Sequence, residues 1–160
     1  MKDITVRRLA GQGFNSMSLD SPDAVVYWLG ALQAQDYAGV KWSIGLRLAG
    51  STIANVESAI AARTIVRTWA LRGTLHFVAA EDIHWLLGLI APRIIAKNAR
   101  RYRQLALDES TLARSSELLV RALDGGRELD RQALRAFLEA EGLSTEGQRI
   151  FYMLQRASLD

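Results

Sequence analysis

The side chains best suited to chemistry are two glutamines one residue apart, Gln33 and Gln35, in the run Gln33-Ala34-Gln35-Asp36. A carboxamide donates through its nitrogen and accepts through its oxygen, so a pair of them can hold and orient a water molecule. Neither is a strong general base. Side chains at i and i+2 point to nearly opposite sides of a helix but to the same side of an extended segment. The two amides can therefore converge on one ligand only where the preceding helix ends or distorts, and Gln35-Asp36-Tyr37-Ala38-Gly39 reads as such an ending. The plainer role for two glutamines at a helix end is to cap backbone groups or meet solvent. Asp36 reads more simply as a solvated helix-end acid than as a catalytic carboxylate.

Other chemistries have little support. The chain contains no cysteine, which excludes thiol nucleophiles, disulfides and thiolate metal sites. Its two histidines, His76 and His84, have no accompanying pattern of carboxylates and make no metal site. Both read as hydrogen-bonded structural histidines, His84 the more firmly because it sits in an apolar helical stretch. Neither a metal nor another cofactor is expected.

Composition bounds the class. A chain of 160 residues, 49% hydrophobic, has the make-up of a globular protein with a real core. A net charge of +3 permits nucleic-acid binding without arguing strongly for it. The excess lies in the middle, densest at Arg93, Lys97, Arg100, Arg101 and Arg103, with no acid between Asp82 and Asp108. The start, Met1 to Arg8, lacks the apolar core of a signal peptide. The most apolar stretch, 83–95, is interrupted by His84, Pro92 and Arg93 and is too short to span a bilayer. A cytoplasmic protein without membrane contact is expected.

The elements that would position the glutamines follow from periodicity. Ser21-Pro22 starts a helix, and Val25, Trp28, Leu29 and Leu32 form its apolar stripe. Val40, Ile44 and Leu48 suggest a second helix. Ser51-Thr52 caps a third, with Ile53, Val56 and Ile60 inward. Two β-prone runs then meet at Arg72-Gly73. With a two-residue loop, Thr68, Ala70, Leu75 and Phe77 share one face and Arg67, Trp69, Leu71, Thr74 and His76 the other; a three-residue loop would shift this register. Three helices followed by one hairpin is the pattern of a winged helix-turn-helix. Asp82 opens a further helix buried through Ile83, Leu86, Leu87 and Ile90, which Pro92 breaks or kinks before a basic helix runs to about Leu107. Arg93, Lys97, Arg100, Arg101 and Gln104 fall on one stripe of it. The stripe suits either a phosphate backbone or a solvated linking face. Beyond 108–110, helices are expected around Leu112 to Leu123, from Asp130 to Glu141, and from Ser144 onward.

The fold class expected is thus mainly α with a small β-hairpin. A first winged-helix unit with its linking basic helix spans 1–107. The helices of a second such unit, ending before a wing, span 108–160.

The stretch Arg67-Thr68-Trp69-Ala70-Leu71-Arg72-Gly73-Thr74-Leu75-His76, with Ala80-Glu81-Asp82 after it, resembles a known family. It is similar to the bacterial winged-helix DNA-binding proteins that include AlkZ-like DNA glycosylases, which remove bulky alkylated bases and unhook interstrand crosslinks. The likeness continues less specifically through Gln148-Arg149. Glycosylase members carry a Gln-x-Gln pair around an aliphatic residue, and Gln33-Ala34-Gln35 stands at that place with a small residue in its middle. Members are longer and stack several winged-helix units, and this chain resembles their N-terminal part.

The resemblance implies that Gln33 and Gln35 place water at the glycosidic bond of an N-alkylated purine. The positive charge of such a base already makes it a good leaving group. The implied partner is double-stranded DNA, alkylated or crosslinked, held by Arg67, by Arg72 and Gly73 at the wing tip, and by Arg93, Lys97, Arg100 and Arg101. The alternatives are a noncatalytic regulator reading the major groove through its third helix, Thr52 to Arg63, or a protein-interaction winged helix.

Overall fold

A computed structural model describes residues 2–14 and 19–160. After a first helix, α1 (Lys2–Gly11), the chain enters α2 (Pro22–Leu29). The Ser21 hydroxyl accepts the Ala24 amide at 3.3 Å and Pro22 fills the first turn, as the sequence predicts. The helix stops before Leu32, however. Gly30 takes the left-handed φ of +72°, which only glycine adopts without strain, and turns the chain out. Leu32 consequently lies in a short strand, β1 (Leu32–Gln33), and Trp28 is exposed.

Two helices follow, α3 (Tyr37–Gly45) and α4 (Ile53–Ala61). Thr52 and Asn55 close a reciprocal capping box at the start of α4. Val56 faces the core, but Ile53, expected beside it, sits in the first turn beyond the core's edge and is exposed.

The hairpin strands are β2 (Ile65–Trp69) and β3 (Leu75–Ala79). β1 pairs with the free side of β3, giving an antiparallel sheet of order β1-β3-β2 where a hairpin alone was expected. Helix, short strand, two helices and then a hairpin whose second strand pairs with the short strand is the winged-helix arrangement.

The register corrects the expected faces. Thr68 pairs with His76 and Arg67 with Phe77, one residue away from a two-residue loop at Arg72-Gly73. The loop is wider, because the Ala70 amide donates to Thr74 and the Gly73 amide to Ala70. Arg72 and Gly73 both take positive φ at its tip, 60° and 80°. A slip of one residue exchanges the faces of one strand relative to the other. Arg67 therefore shares a face with Phe77, and Thr68 with His76.

Core packing follows from that register. Val25, Val26, Ile44, Val56, Ile65 and Phe77 form the main apolar cluster. Ala70, Val78 and Leu86 form a smaller one that joins the sheet to α5 (Ile83–Gln104). Pro92 does not break α5. Pro92 and Gly88, whose carbonyl loses its helical donor there, are both exposed, so water can take the bond.

The remaining helices are α6 (Glu109–Leu123), α7 (Arg131–Ala140) and α8 (Arg149–Leu159), the first two capped by Asp108 and Asp130. The last begins after Gln148 rather than at Ser144, because residues 144–148 form turns held by Arg149, whose Nε donates to the Ser144 carbonyl at 2.8 Å. Tyr102, Leu112, Leu119, Leu138, Ile150 and Met153 make their core. Packing divides the chain into compact units Met1–Ile90 and Ala91–Asp160. The basic half of α5 thus belongs with the second core, through Tyr102, where the sequence division lies at 107/108. Among the described residues no helix is long and apolar enough to cross a membrane.

Leu138 is fully buried in the second core. Leu138→Ala is expected to destabilise that unit by about 2–5 kcal/mol, read as a lowered midpoint in urea denaturation.

Candidate functional site

The chain is paired as a strand from Leu32 to Ala34 and bends at Gln35, and its alternation is plain: Leu32 and Ala34 are buried while Gln33 and Gln35 are exposed. The two amides therefore lie on the same side, and Gln33 Nε2 donates to Gln35 Oε1 at 2.6 Å. This bond uses one donor and one acceptor. Gln33 Oε1 and the Gln35 NH2 group retain capacity to bind a water or a ligand from both directions. The helix-capping role does not apply, because α2 has ended at Gly30 and the cap of the next helix is Asp36.

Ala34 fixes this geometry. Its amide donates to the Leu75 carbonyl at 2.7 Å, continuing the pairing of β1 with β3 by one residue. Its carbonyl receives Arg67 Nε at 3.0 Å and a second guanidinium nitrogen at 2.7 Å. The same guanidinium lies 5.4 Å from the centre of the Tyr37 ring, which meets Phe77 edge-on at 5.9 Å. Arg67, expected on DNA, is turned onto the peptide between the glutamines.

Asp36 takes the plain role. Its carboxylate accepts the Gly39 amide at 3.0 Å and caps α3. Gly39 is required for that approach, because a Cβ there would stand 2.5 Å from Asp36 Oδ2.

No residue pattern signals the cleft beside Gln33. It measures about 440 Å³ and is lined by Leu29, Leu32, Gln33, Asp36, Ser43 and Arg47, among others. Arg47 donates to the Gln12 carbonyl at 2.7 Å and the Ser43 carbonyl at 2.6 Å, and burial holds its pKa below the ordinary arginine value. Its spacing of four from Ser43, across the end of α3, was the only available signal.

His76 is buried opposite Gln33 in the ladder, with Nδ1 2.8 Å from the Thr74 carbonyl. A carbonyl only accepts, so Nδ1 carries a proton and the ring is a structural one. His84 is exposed instead, since it precedes Leu86 by two positions and falls on the other side of α5.

The expected cationic positions are spread over both units. Arg72 is exposed at the wing tip. Within the second unit Arg93, Lys97 and Arg100 are exposed along one stripe of α5. Arg101 is half-buried, donating to Gln148 Oε1 at 2.8 Å and to Gln104 Oε1 at 2.9 Å. Its neighbour Arg149 holds the carbonyls of Leu105 and Ala106 at the end of α5. Gln148-Arg149 is therefore a structural latch in this unit. On α4, Asn55 is the side chain best fitted to read a base, but its Oδ1 is taken by Thr52 N at 2.8 Å and Thr52 Oγ1 at 2.7 Å. That helix otherwise exposes Ile53, Ala54, Glu57 and Ser58, which weighs against the regulator reading.

With the amide pair on an extended segment of a winged helix, the decisive observation is the sequence profile of DNA glycosylase AlkZ-like proteins, which matches residues 26–158. The chain belongs to the AlkZ-like DNA glycosylase family. It is similar in structure to the Streptomyces sahachiroi DNA glycosylase AlkZ, with a TM-score of 0.68 and 24% identity over 95% of this chain. That likeness is one of fold, and the chain spans 40% of the length of the Streptomyces protein. No curated protein sequence matches it. Gln33 and Gln35 lie within the matched region, and the wing follows them.

Gly39→Ala is expected to break the Asp36 cap and cost about 1 kcal/mol. Thermal denaturation and faster hydrogen exchange at the residue 39 amide would report it.

Proposed function

We propose that the chain provides the water-positioning element and part of the DNA-holding surface of a glycosylase acting on bulky N-alkylated purines, interstrand crosslinks included. The observation that carries this reading is the 2.6 Å contact between the Gln33 and Gln35 amides on the outer side of an extended segment.

The chemistry is modest in its demands. Alkylation at a purine ring nitrogen gives the base a positive charge, so the glycosidic bond breaks without a strong acid to protonate the leaving group. A water accepting from the Gln35 NH2 group and donating to Gln33 Oε1 would be held for attack on the sugar carbon. The amide oxygens are dipoles directed at the positive charge that develops on the sugar. No cofactor is needed for these steps. Arg72 and the Arg93, Lys97 and Arg100 stripe supply sequence-independent attraction to phosphates. Arg101, bonded to neutral amides, keeps its charge and adds to the same field. In this reading the region 108–160 contributes the helices of a second winged-helix unit.

Gln33→Ala/Gln35→Ala is expected to abolish release of an N7-alkylguanine from duplex DNA while duplex affinity stays within about twofold, since neutral amides release no counterions. Release at the normal rate by this double variant would remove the catalytic assignment. Separately, replacing Arg93, Lys97 and Arg100 by alanine should lower the slope of log affinity against log salt by about 2–3. An unchanged slope would make the stripe a solvated face.

A further inference from the structure

We infer that Arg67 is a positioning residue that holds the Gln33-Ala34-Gln35 segment in its converged geometry, rather than a phosphate contact. The inference rests on the reading of Gln33 and Gln35 as the water-holding pair.

The Ala34 carbonyl has no partner in the strand ladder. β1 is two residues long, so the ladder to β3 runs out where the chain reaches Ala34. Ala34 is fully buried, which denies its carbonyl the water that normally satisfies a strand end. Arg67 supplies the missing donors from β2, the strand on the far side of β3. In the register Arg67, Phe77 and Leu32 form one cross-strand row, so the arginine side chain reaches over Phe77 to a point just past β1. Two neighbouring strand spacings amount to about 10 Å, a span that only a long side chain covers. The guanidinium presents two adjacent N–H groups to one oxygen, which fixes direction as well as distance.

The consequence falls on the glutamines. Rotation of the Ala34 peptide would turn the Gln35 side chain away from Gln33 and separate the two amides. Leu75 holds the Gln33–Ala34 peptide through its N–H and Arg67 holds the Ala34–Gln35 peptide through its carbonyl, so both sides of residue 34 are fixed. Arg67 is exposed as a residue, but its Nε and one terminal nitrogen are both spent on the Ala34 carbonyl, with the guanidinium 5.4 Å from the centre of the Tyr37 ring.

Full-chain Arg67→Lys and Arg67→Gln separate the two roles. Lysine keeps the charge and reach but loses the planar fork. Single-turnover release of an N7-alkylguanine is expected to fall about 10- to 100-fold in both. Duplex affinity and its salt slope should stay as in the wild type. The side-chain amide NMR signals of Gln33 and Gln35, assigned from their alanine variants, should move toward those of free glutamine. Backbone amide dispersion reports folding, and if Arg67→Gln loses it, Arg67→Lys carries the comparison. Unmoved amide signals in a folded variant would overturn the positioning role. So would a salt slope reduced by about one, with a rate that recovers at saturating protein. Moved amide signals in Arg67→Lys, alongside normal release by Gln33→Ala/Gln35→Ala, would instead sink the glycosylase reading and leave the positioning role standing.

Discussion

The carbonyl of Ala34 is a buried polar group at the point where a two-residue strand ends, and the arrangement of the first unit follows from satisfying it. Leaving such a group without a partner costs about 1–3 kcal/mol. Meeting the requirement from Arg67 fixes three things together. It fixes the register of β2 on β3, because only the observed pairing puts Arg67 on the face of Phe77. It fixes the path of the chain between α2 and α3. It also fixes which side of that path Gln33 and Gln35 occupy. A small residue at position 34 fits the same constraint, since Ala34 belongs to the Val25, Ile44 and Phe77 core and has no exposed surface of its own.

Both units use arginines to hold backbone carbonyls. In the first, Arg47 and Arg67 donate to backbone carbonyls that tie loops down. In the second, Arg149 does the same for the end of α5, while Arg156 is neutralised between Glu109 at 3.1 Å and Asp160 at 2.8 Å. That pairing holds the Glu109 carboxyl below the usual carboxylate range and pushes the Arg156 guanidinium above its own. Arg93, Lys97 and Arg100 face outward along a stretch of α5 with no acid between Asp82 and Asp108, so the weak net charge understates the local one.

Much of this was legible in the residues. Ser21-Pro22 and Asp130 are caps in the structure, Asp108, read as part of a boundary, caps α6, and the apolar periods of α6 and α7 fall where their leucines place them. Gln33 and Gln35 needed an extended backbone to converge, and that condition could be written down without knowing whether it was met. What local pattern could not supply was the third strand. β1 has two residues and no alternation long enough to recognise, and it exists because β3 offers it an edge. The hairpin register escaped for a related reason. Arg72-Gly73 looks like a two-residue turn, but hydrogen bonds from Ala70 and Gly73 close a wider loop. Arg67 was assigned by charge alone, and charge says nothing about a carbonyl 33 positions earlier in the chain.

Gln148 has one more consequence. A carboxylate in its place would hold Arg101 as firmly but would cancel its charge; the amide immobilises the guanidinium and leaves the full positive charge in the field of α5. Such a cation is frozen before any ligand arrives. The rotamer freedom that a surface arginine ordinarily surrenders on association has here been surrendered during folding, so encounter with an anionic surface meets one preset element of a pattern rather than another loose side chain.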